Sequence, residues 1–420
     1  MPSETDLLRS LDPEPPQPST VDIARAMADG QRRKTRRGVG YAGIVAVTTL
    51  AIAGAVVAVG VNRGKTGTTT PVAAPKASAS KKAEPKGDYT IPGVTGWRAP
   101  AATPPTSCTI EKLPVPDGVR MALVSGADPT GSYQVGRSYP KGGYQAVIWH
   151  NGKAKKVDLP GDMEESLRDV NSSGAAVGWS YQGKTEADTG PVPYAYVNGK
   201  VVKLAGVSRG EATAINEAGA ITGDAADHAV VWPSPAQPPI RLPVPKGTKS
   251  SAASDIDEDG TVVGNLDLRV PYVWFPDGTY RALPLPTVDG KRAVGARVFS
   301  VRNGWAIGVA DQSDEARAGK PADKMWAIRW NVRTGETQIA DDWDMQPEAL
   351  NAQGWEVGIT KQGRAALIAG GKQVKLPELA PHDPGLLTNI PNAISDDGKI
   401  ISGQSDDASD TIRAVIWRCA

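Results

Sequence analysis

The residues with the clearest metal-ligand spacing are 255–260, DIDEDG, because D-x-D-x-D-G opens a calcium-binding loop. The later ligand positions of such a loop hold Val263 and Leu266, whose side chains offer no oxygen. The chain also repeats a pattern in which 171–174 and 216–219 stand at the equivalent point and have the composition of turns. We therefore interpret 255–260 as a turn and predict neither a metal site nor a cofactor.

The three histidines of the chain, His150, His228 and His382, are the other residues with catalytic potential. No Ser-His-Asp arrangement and no G-x-S-x-G motif accompanies them. His150 and His228 fall beside predicted core strands. His382 lies in a predicted loop near a central opening, so a catalytic role for it is kept as an alternative. The sequence predicts no catalytic residue.

Acidic residues concentrate in four predicted loops, 162–165, 341–344, 382–383 and 405–410, and aromatic residues lie among them. One interpretation is a solvated surface. The other is a face that binds a cationic partner, a metal ion or a sugar-like ligand, with aromatic anchors. The candidate ligand-binding residues are Trp179, Tyr181, Asp341, Asp342, Trp343, Asp344, His382, Asp383, Asp406 and Asp407. The net charge of only +1 argues against a nucleic-acid partner.

These residues would be positioned by a repeat that begins near residue 108. Each unit contains two short strands, a variable loop, a strand that ends in an aromatic residue, and a strand that ends in Leu-Pro or Leu-Ala. A glycine at the end of the second strand recurs every 41 to 50 residues, at Gly136, Gly178, Gly223, Gly264, Gly308, Gly358 and Gly403. Four strands at this period are typical of a β-propeller blade. We predict an all-β, seven-bladed propeller.

The seventh unit lacks its fourth strand, because the chain ends after the third. Residues 108–116, CTIEKLPVP, resemble the other fourth strands and are not preceded by strands of their own. We predict that this N-terminal strand completes the last blade. Cys108 and Cys419 would then lie near one hairpin end, within reach of a disulfide. The repeated third-strand tryptophans are interpreted as core residues rather than as a ligand platform.

Residues 38–61 contain no charge over 24 positions, which is enough to cross a hydrocarbon core of about 30 Å. Five basic residues between 32 and 37 precede this segment, and two follow it, at Arg63 and Lys65. The positive-inside rule places residues 1–37 in the cytoplasm and the rest outside. We predict an uncleaved anchor in the lipid bilayer; a cleaved signal peptide is the alternative, and both export the propeller.

The domain organisation follows from these segments. Residues 1–37 form the cytoplasmic segment, 38–61 the transmembrane helix, 62–106 a linker rich in Pro, Ala and Lys, and 107–420 the propeller. A linker of this composition cannot bury a core and holds the propeller away from the membrane. A short helix predicted over 20–37 leaves open a signalling role in the cytoplasm.

The motif A-x-x-I-N-x-x-G-x-x-x-G, followed by H/Y-A-x-x-W and a closing Leu-Pro, resembles the HAF-repeat extracytoplasmic proteins of bacteria. The resemblance rests on 212–223 with 228–232, on 166–178 with 194–196 and on 393–403 with 414–417. It covers about 310 of the 420 residues, although the phenylalanine of the motif is replaced by Val or Tyr. It implies a propeller-like fold and an envelope location. It implies no activity and no site residues.

These observations favour a membrane-anchored, extracytoplasmic binding or sensing module whose partner is a cell-envelope protein or a glycan. The alternative is an envelope hydrolase or lyase with its site in the propeller channel. The sequence does not indicate an oligomeric state.

Overall fold

The computed structural model describes residues 101–140, 143–161, 164–182, 190–288, 290–311, 325–340, 346–360, 362–383 and 385–420. The predicted cytoplasmic segment, anchor and most of the linker lie outside these ranges. So do four candidate site residues, Asp341, Asp342, Trp343 and Asp344. Within the described ranges, no helix is long and apolar enough to cross a membrane.

The described chain forms seven four-stranded antiparallel sheets, which we number as blades 1 to 7 in chain order. The first strands are β2 (Ala122–Ala127), β6 (Glu165–Val170), β10 (Ala212–Ile215), β14 (Ser251–Ile256), β20 (Gly295–Arg302), β24 (Gln346–Leu350) and β28 (Asn389–Ile394). The second strands are β3 (Tyr133–Ser138), β7 (Ala176–Tyr181), β11 (Ile221–Ala225), β15 (Val262–Leu266), β21 (Trp305–Asp311), β25 (Glu356–Ile359) and β29 (Ile400–Asp406).

The outer half of each blade consists of a third and a fourth strand. The third strands are β4 (Gln145–His150), β8 (Pro191–Val197), β12 (His228–Trp232), β16 (Val270–Trp274), β22 (Met325–Asn331), β26 (Ala365–Ala369) and β30 (Ile412–Cys419). The fourth strands are β5 (Lys153–Val157), β9 (Lys200–Lys203), β13 (Ile240–Arg241), β17 (Tyr280–Ala282), β23 (Thr337–Ile339), β27 (Lys372–Lys375) and, in blade 7, β1 (Cys108–Lys112). A two-stranded ribbon, β18 (Thr287–Val288) and β19 (Lys291–Arg292), joins blades 4 and 5, and a 3-10 turn spans Pro116–Gly118.

The blades close into a ring. Each first strand contacts the first strand of the next blade, and β28 of blade 7 contacts β2 of blade 1. The seven first strands therefore surround a central channel. This arrangement confirms the prediction of an all-β, seven-bladed propeller.

Blade 7 combines the two ends of the described chain. Its strand order is β1-β30-β29-β28, and Cys108 lies directly opposite Cys419 in the β1–β30 ladder. The predicted Cys108–Cys419 disulfide is present. Residues 102–106 were assigned to the linker, but Ala102 packs on the core of blades 6 and 7 and Thr106 bonds to the carbonyl of Ala420. The folded part thus begins a few residues earlier than predicted.

The repeated tryptophans are core residues, as predicted. Five of them are 0–2% exposed: Trp149, Trp232, Trp274, Trp330 and Trp417. Each indole N–H donates a hydrogen bond of 2.6–2.9 Å to a carbonyl at the end of the preceding blade's fourth strand, at Pro114, Ala205, Pro243, Pro284 and Pro377. The tryptophan of one repeat and the Leu-Pro or Leu-Ala of the repeat before it therefore form one interblade contact.

The repeated glycines oppose a β-bulge in the first strand of every blade. A Cβ atom at any of the seven glycines would lie within 3.0 Å of a carbonyl oxygen of the bulged strand. In blade 3, for example, Gly223 faces the carbonyl of Glu211. Only glycine permits so close an approach of two backbones, which explains why this residue recurs at a fixed point of the repeat.

Candidate functional site

The propeller has two faces. The turns between strands one and two and between strands three and four lie on one, which we call the turn face. The connections between strands two and three and between successive blades lie on the other, which we call the loop face. The channel runs between them.

The turn face is held together by a chain of Asn and Asp side chains, one from each successive blade. Asn171 of blade 2 donates to the carbonyl of Asn216 in blade 3, at 3.1 Å, and Asn216 donates to the carbonyl of Asp257 in blade 4, at 3.3 Å. The carboxylate of Asp257 accepts from the backbone N–H groups of Asn303 and Gly304 in blade 5, at 3.0 and 2.7 Å. These polar side chains are therefore structural.

Of the aspartate-rich residues of blade 4, Asp255 and Ile256 end β14 and 257–260 form the turn, so the predicted turn begins two residues later. Each carboxylate has a partner in blade 5. Asp255 accepts hydrogen bonds from the Ser300 hydroxyl and from the Val301 N–H, at 2.7 and 2.8 Å. Burial raises the pKa of Asp255 to about 6, although these hydrogen bonds lower it. Asp259 forms an ion pair with Arg333 at 2.8 Å. The arrangement connects two blades.

Arg302 links the turn face across the channel mouth. Its guanidinium, 11% exposed, pairs with Glu258 of blade 4 and with Asp396 of blade 7, the latter at 2.6 Å. Asp396 also accepts the N–H of Ala352 in blade 6, and Glu258 accepts the N–H of Glu217 in blade 3. Because Arg302 belongs to blade 5 and reaches blade 7 past blade 6, this network narrows the channel at the turn face.

The channel wall is formed by the extra residue of each first-strand bulge. These seven residues are all half-buried: Ser125, Arg168, Thr213, Ser254, Phe299, Glu348 and Asn392. The side chains of Thr213, Ser254 and Asn392 each donate a hydrogen bond of 2.6–3.1 Å to a first-strand carbonyl of the next blade. These three side chains therefore stabilise the inner ring.

Arg168 and its neighbours form a charged group on one wall of the channel. Its guanidinium interacts electrostatically with Glu211 of blade 3, Arg137 of blade 1 and Asp169. Arg137 is held by Tyr139, whose hydroxyl accepts from the Arg137 Nε at 2.9 Å. Burial raises the pKa of Asp169 to about 8, against the hydrogen bond that its carboxylate accepts from Ile215. The wall between blades 1 and 3 is thus rich in ionisable groups.

Glu211 interacts electrostatically with a second acidic residue of blade 3, Asp224. Burial raises the pKa of Glu211, while Arg168 and Arg137 lower it. Burial and the charge of Glu211 raise the pKa of Asp224 to about 8. Burial lowers the pKa of Arg168, and the charges of Glu211 and Asp169 raise it. At neutral pH Asp224 is mostly protonated.

A second charged group lies on the wall formed by blades 5 and 6. Arg297 stacks over the Phe299 ring, with 5.6 Å between the guanidinium carbon and the ring centroid. Glu348 accepts a hydrogen bond of 2.9 Å from Gln346, and burial raises its pKa to about 8. The wall therefore combines an aromatic ring, a guanidinium and a carboxyl group that is mostly protonated at neutral pH.

Three of the residues predicted for ligand binding are instead buried or form contacts within the protein. Trp179 is not an exposed anchor: it is 7% exposed, within β7, and packs edge-on against Tyr181 with 5.3 Å between ring centroids. Asp406 is 0% exposed at the end of β29, since this strand extends further than the predicted loop allowed. Asp407 caps the turn at Ser409 and pairs with Arg413.

Hydrogen bonds from Ser409 hold the pKa of Asp407 well below its usual range, and the contact with Arg413 adds to this effect. Asp407 is therefore an ionised cap of the loop that follows β29. It is one of the predicted acids of the loop face, but its carboxylate already has partners.

His382 lies at the junction between blades 6 and 7 on the loop face. Its Nδ1 is 3.8 Å from Glu378 and its Nε2 is 3.7 Å from Asp410, whose side chain is 83% exposed. Arg364 fixes this loop by pairing with Glu378 at 3.0 Å and donating to the carbonyl of His382 at 2.6 Å. The adjacent Asp383 is exposed. The structure thus places His382 between Glu378 and Asp410, and Asp410 belongs to the predicted acidic segment 405–410.

Sequence reasoning missed the channel residues Arg168, Glu211 and Glu348. A signal was present, because each bulged residue stands nine to eleven positions before the repeated glycine of its blade. The repeat alone does not show that this position is an extra residue rather than an ordinary strand position. The register shift that places it in the channel is a property of the paired strands.

No family model matches the chain, and no curated protein does. Among solved structures, a chain of "Crystal Structure of Mitotic Checkpoint Complex" is similar, with 13% identity and a TM-score of 0.43, over 77% of this chain and 97% of that one. A chain of "YCF48 bound to D1 peptide" has 11% identity and a TM-score of 0.42, over 76% of this chain and 98% of that one. The fold assignment rests on strand order and ring closure.

Proposed function

We propose that this chain is a membrane-anchored, extracytoplasmic propeller that binds a basic partner of the cell envelope at its loop face. The uncharged residues 38–61, with basic residues before them, support the anchor and its orientation. The Cys108–Cys419 disulfide supports an oxidising compartment outside the cytoplasm. The resemblance of the repeats to HAF-repeat proteins supports the same location.

The observation that carries the proposal is the exposed acidic group at the junction of blades 6 and 7. Asp410 is 83% exposed beside His382, and Asp383 is exposed next to it. The sequence adds the acidic residues DDWD, 341–344, which we predict to be a loop between blades 5 and 6. Exposed carboxylates at neighbouring loops attract a basic partner and speed its association.

The test is binding of the full-length chain to cell-envelope fractions at low and high salt. Asp383→Asn with Asp410→Asn removes two loop-face charges, and Asn tolerates the positive φ of 53° at position 410. We expect this variant to bind at least several-fold more weakly. Wild-type binding should also fall as salt rises, because exposed charges are screened.

A matched control removes two charges from the turn face. Asp277→Asn and Asp397→Asn retain the side-chain oxygens that bond Thr279 and Lys399. This control should bind as the wild type does. Equal binding by the loop-face variant and the control would overturn the proposal.

A second variant reverses Asp341, Asp342 and Asp344 to lysine. If the partner spans the junctions on both sides of blade 6, this variant also loses binding. Loss in only one of the two loop-face variants locates the contact at one junction. The hydrolase or lyase alternative predicts turnover of an envelope component that His382→Ala abolishes, and a binding module predicts none.

A further inference from the structure

Arg168 is a half-buried arginine of the channel wall, and its guanidinium lacks a polar partner among the described residues. Among the described residues, Arg302, Arg329, Arg364 and Arg413 each form an ion pair with a carboxylate. Arg168 makes neither an ion pair nor a side-chain hydrogen bond with any described residue. A half-buried guanidinium without partners is costly, since it loses water without gaining hydrogen bonds.

We propose that the propeller channel binds a small oxyanion, a carboxylate or a tetrahedral anion, on the guanidinium of Arg168. The fork of N–H donors in arginine matches two oxygens of such an anion, and the resulting hydrogen bonds are charge-assisted. This site lies inside the channel and is independent of the loop-face contact proposed above.

The position of Arg168 supports an interior site. It is the extra residue of the β6 bulge, on the strand that lines the channel, and it is half-buried there. The Arg302 network crosses the channel mouth at the turn face and so narrows that end of the channel. A channel narrowed at one end favours a small ligand over a threaded chain.

The charges around Arg168 favour an anion. Arg137 adds a second positive charge, and its guanidinium is fixed against the tyrosine rings. The carboxyl of Asp169 accepts a hydrogen bond from the Ile215 N–H of the next blade, so it already has a partner within the protein. Asp169 and Asp224, each with a pKa raised by burial to about 8, are mostly protonated at neutral pH.

Glu211 gives the site a dependence on pH. Its charge has the largest electrostatic effect on Arg168 of any neighbouring group, but its carboxylate does not form an ion pair with the guanidinium. An anion on Arg168 repels an ionised Glu211, so binding is coupled to proton uptake by that carboxyl. The anion therefore binds more tightly as pH falls. Arg137, Asp169 and Asp224 are the other charged or titratable groups of this wall.

The experiment is calorimetric titration of the full-length chain with acetate and with sulfate, which keep their charge between pH 6 and pH 8. We expect one site per chain and tighter binding at pH 6. Preference for acetate indicates a carboxylate ligand, and preference for sulfate indicates a tetrahedral anion. Arg168→Gln should weaken binding at least about tenfold. The control Arg292→Gln removes an exposed charge outside the channel and should change nothing.

Glu211→Gln separates the anion site from a structural role of Arg168. It should bind the anion more tightly at pH 8 and show a smaller difference between pH 6 and pH 8. The loop-face variant Asp383→Asn with Asp410→Asn should retain anion binding, so the two proposals fail separately. Absence of binding to both anions, or unchanged binding by a folded Arg168→Gln, would overturn the inference.

Discussion

Removal of the Cys108–Cys419 disulfide should lower the thermal stability of the propeller. The bond joins residues separated by 311 positions, so it closes nearly the whole folded chain into one loop. In the chain-entropy model, a loop of this length stabilises the folded state by about 6 kcal/mol. Unfolding entropy for about 310 residues is about 0.65 kcal/mol per degree, so the melting temperature falls by up to about 9 °C.

The strand β1 should stay paired without the disulfide, because five residue pairs join it to β30 and Leu113 is 6% exposed in the core. We therefore expect a folded but less stable ring in Cys108→Ser with Cys419→Ser. Calorimetry in oxidising and reducing buffer measures the effect. Hydrogen exchange should increase in β1 and β30 together, since they form the seam of the ring.

The double-serine variant is its own control for the reductant. Reducing agent should lower the melting temperature of the wild type and leave that of the variant unchanged. Equal melting temperatures for the two proteins in oxidising buffer would refute the reasoning. In that case the β1–β30 ladder alone would determine the stability of the seam.

Two further predictions concern Gly223, one of the repeated glycines, and Glu348, a half-buried acid of the channel wall. Gly223→Ala places a methyl group within 3.0 Å of the Glu211 carbonyl and should destabilise the fold by about 3 kcal/mol or more. Gly152→Ala, in an open turn at φ 76°, should cost only about 1–2 kcal/mol in the same denaturant titration, and equal losses would contradict the bulge argument. Burial raises the pKa of Glu348 to about 8 from its ordinary value of 4.5, so its contribution to stability is full below pH 4.5 and is lost as pH rises towards 8. Glu348→Gln should flatten the decline in unfolding free energy over that range, and an unchanged slope would show that Glu348 does not titrate there.

The sequence by itself determined the repeating part of the fold. Gly223 and Trp232 recur in register because every blade makes the same two contacts, one within the blade and one to the blade before. These contacts are local to adjacent repeats, so their residue types appear as a period of the sequence. Counting the strands of the seven repeats also showed that the last repeat lacks its fourth strand, and it placed Cys108 and Cys419 at the two ends of the repeat array.

The sequence failed where a side chain depends on how far a strand extends. Trp179 and Asp406 were assigned to loops. In the structure, β7 continues to Tyr181 and β29 continues to Asp406, and the side chains of Trp179 and Asp406 are buried. Strand ends are set by pairing with a neighbour, and a single repeat does not specify them. The sequence therefore predicted an acidic loop face, but it did not show which of the acidic residues are accessible.

Tertiary structure alone decided which charges have partners. Arg302 and Arg168 both belong to first strands, yet Arg302 pairs with acids of blades 4 and 7, whereas Arg168 pairs with none of the described residues. Ring closure brings together residues as far apart in sequence as Arg302 and Asp396, and their chemistry does not follow the repeat. The period of the chain thus specifies the scaffold, and the closed ring specifies the interior of the channel.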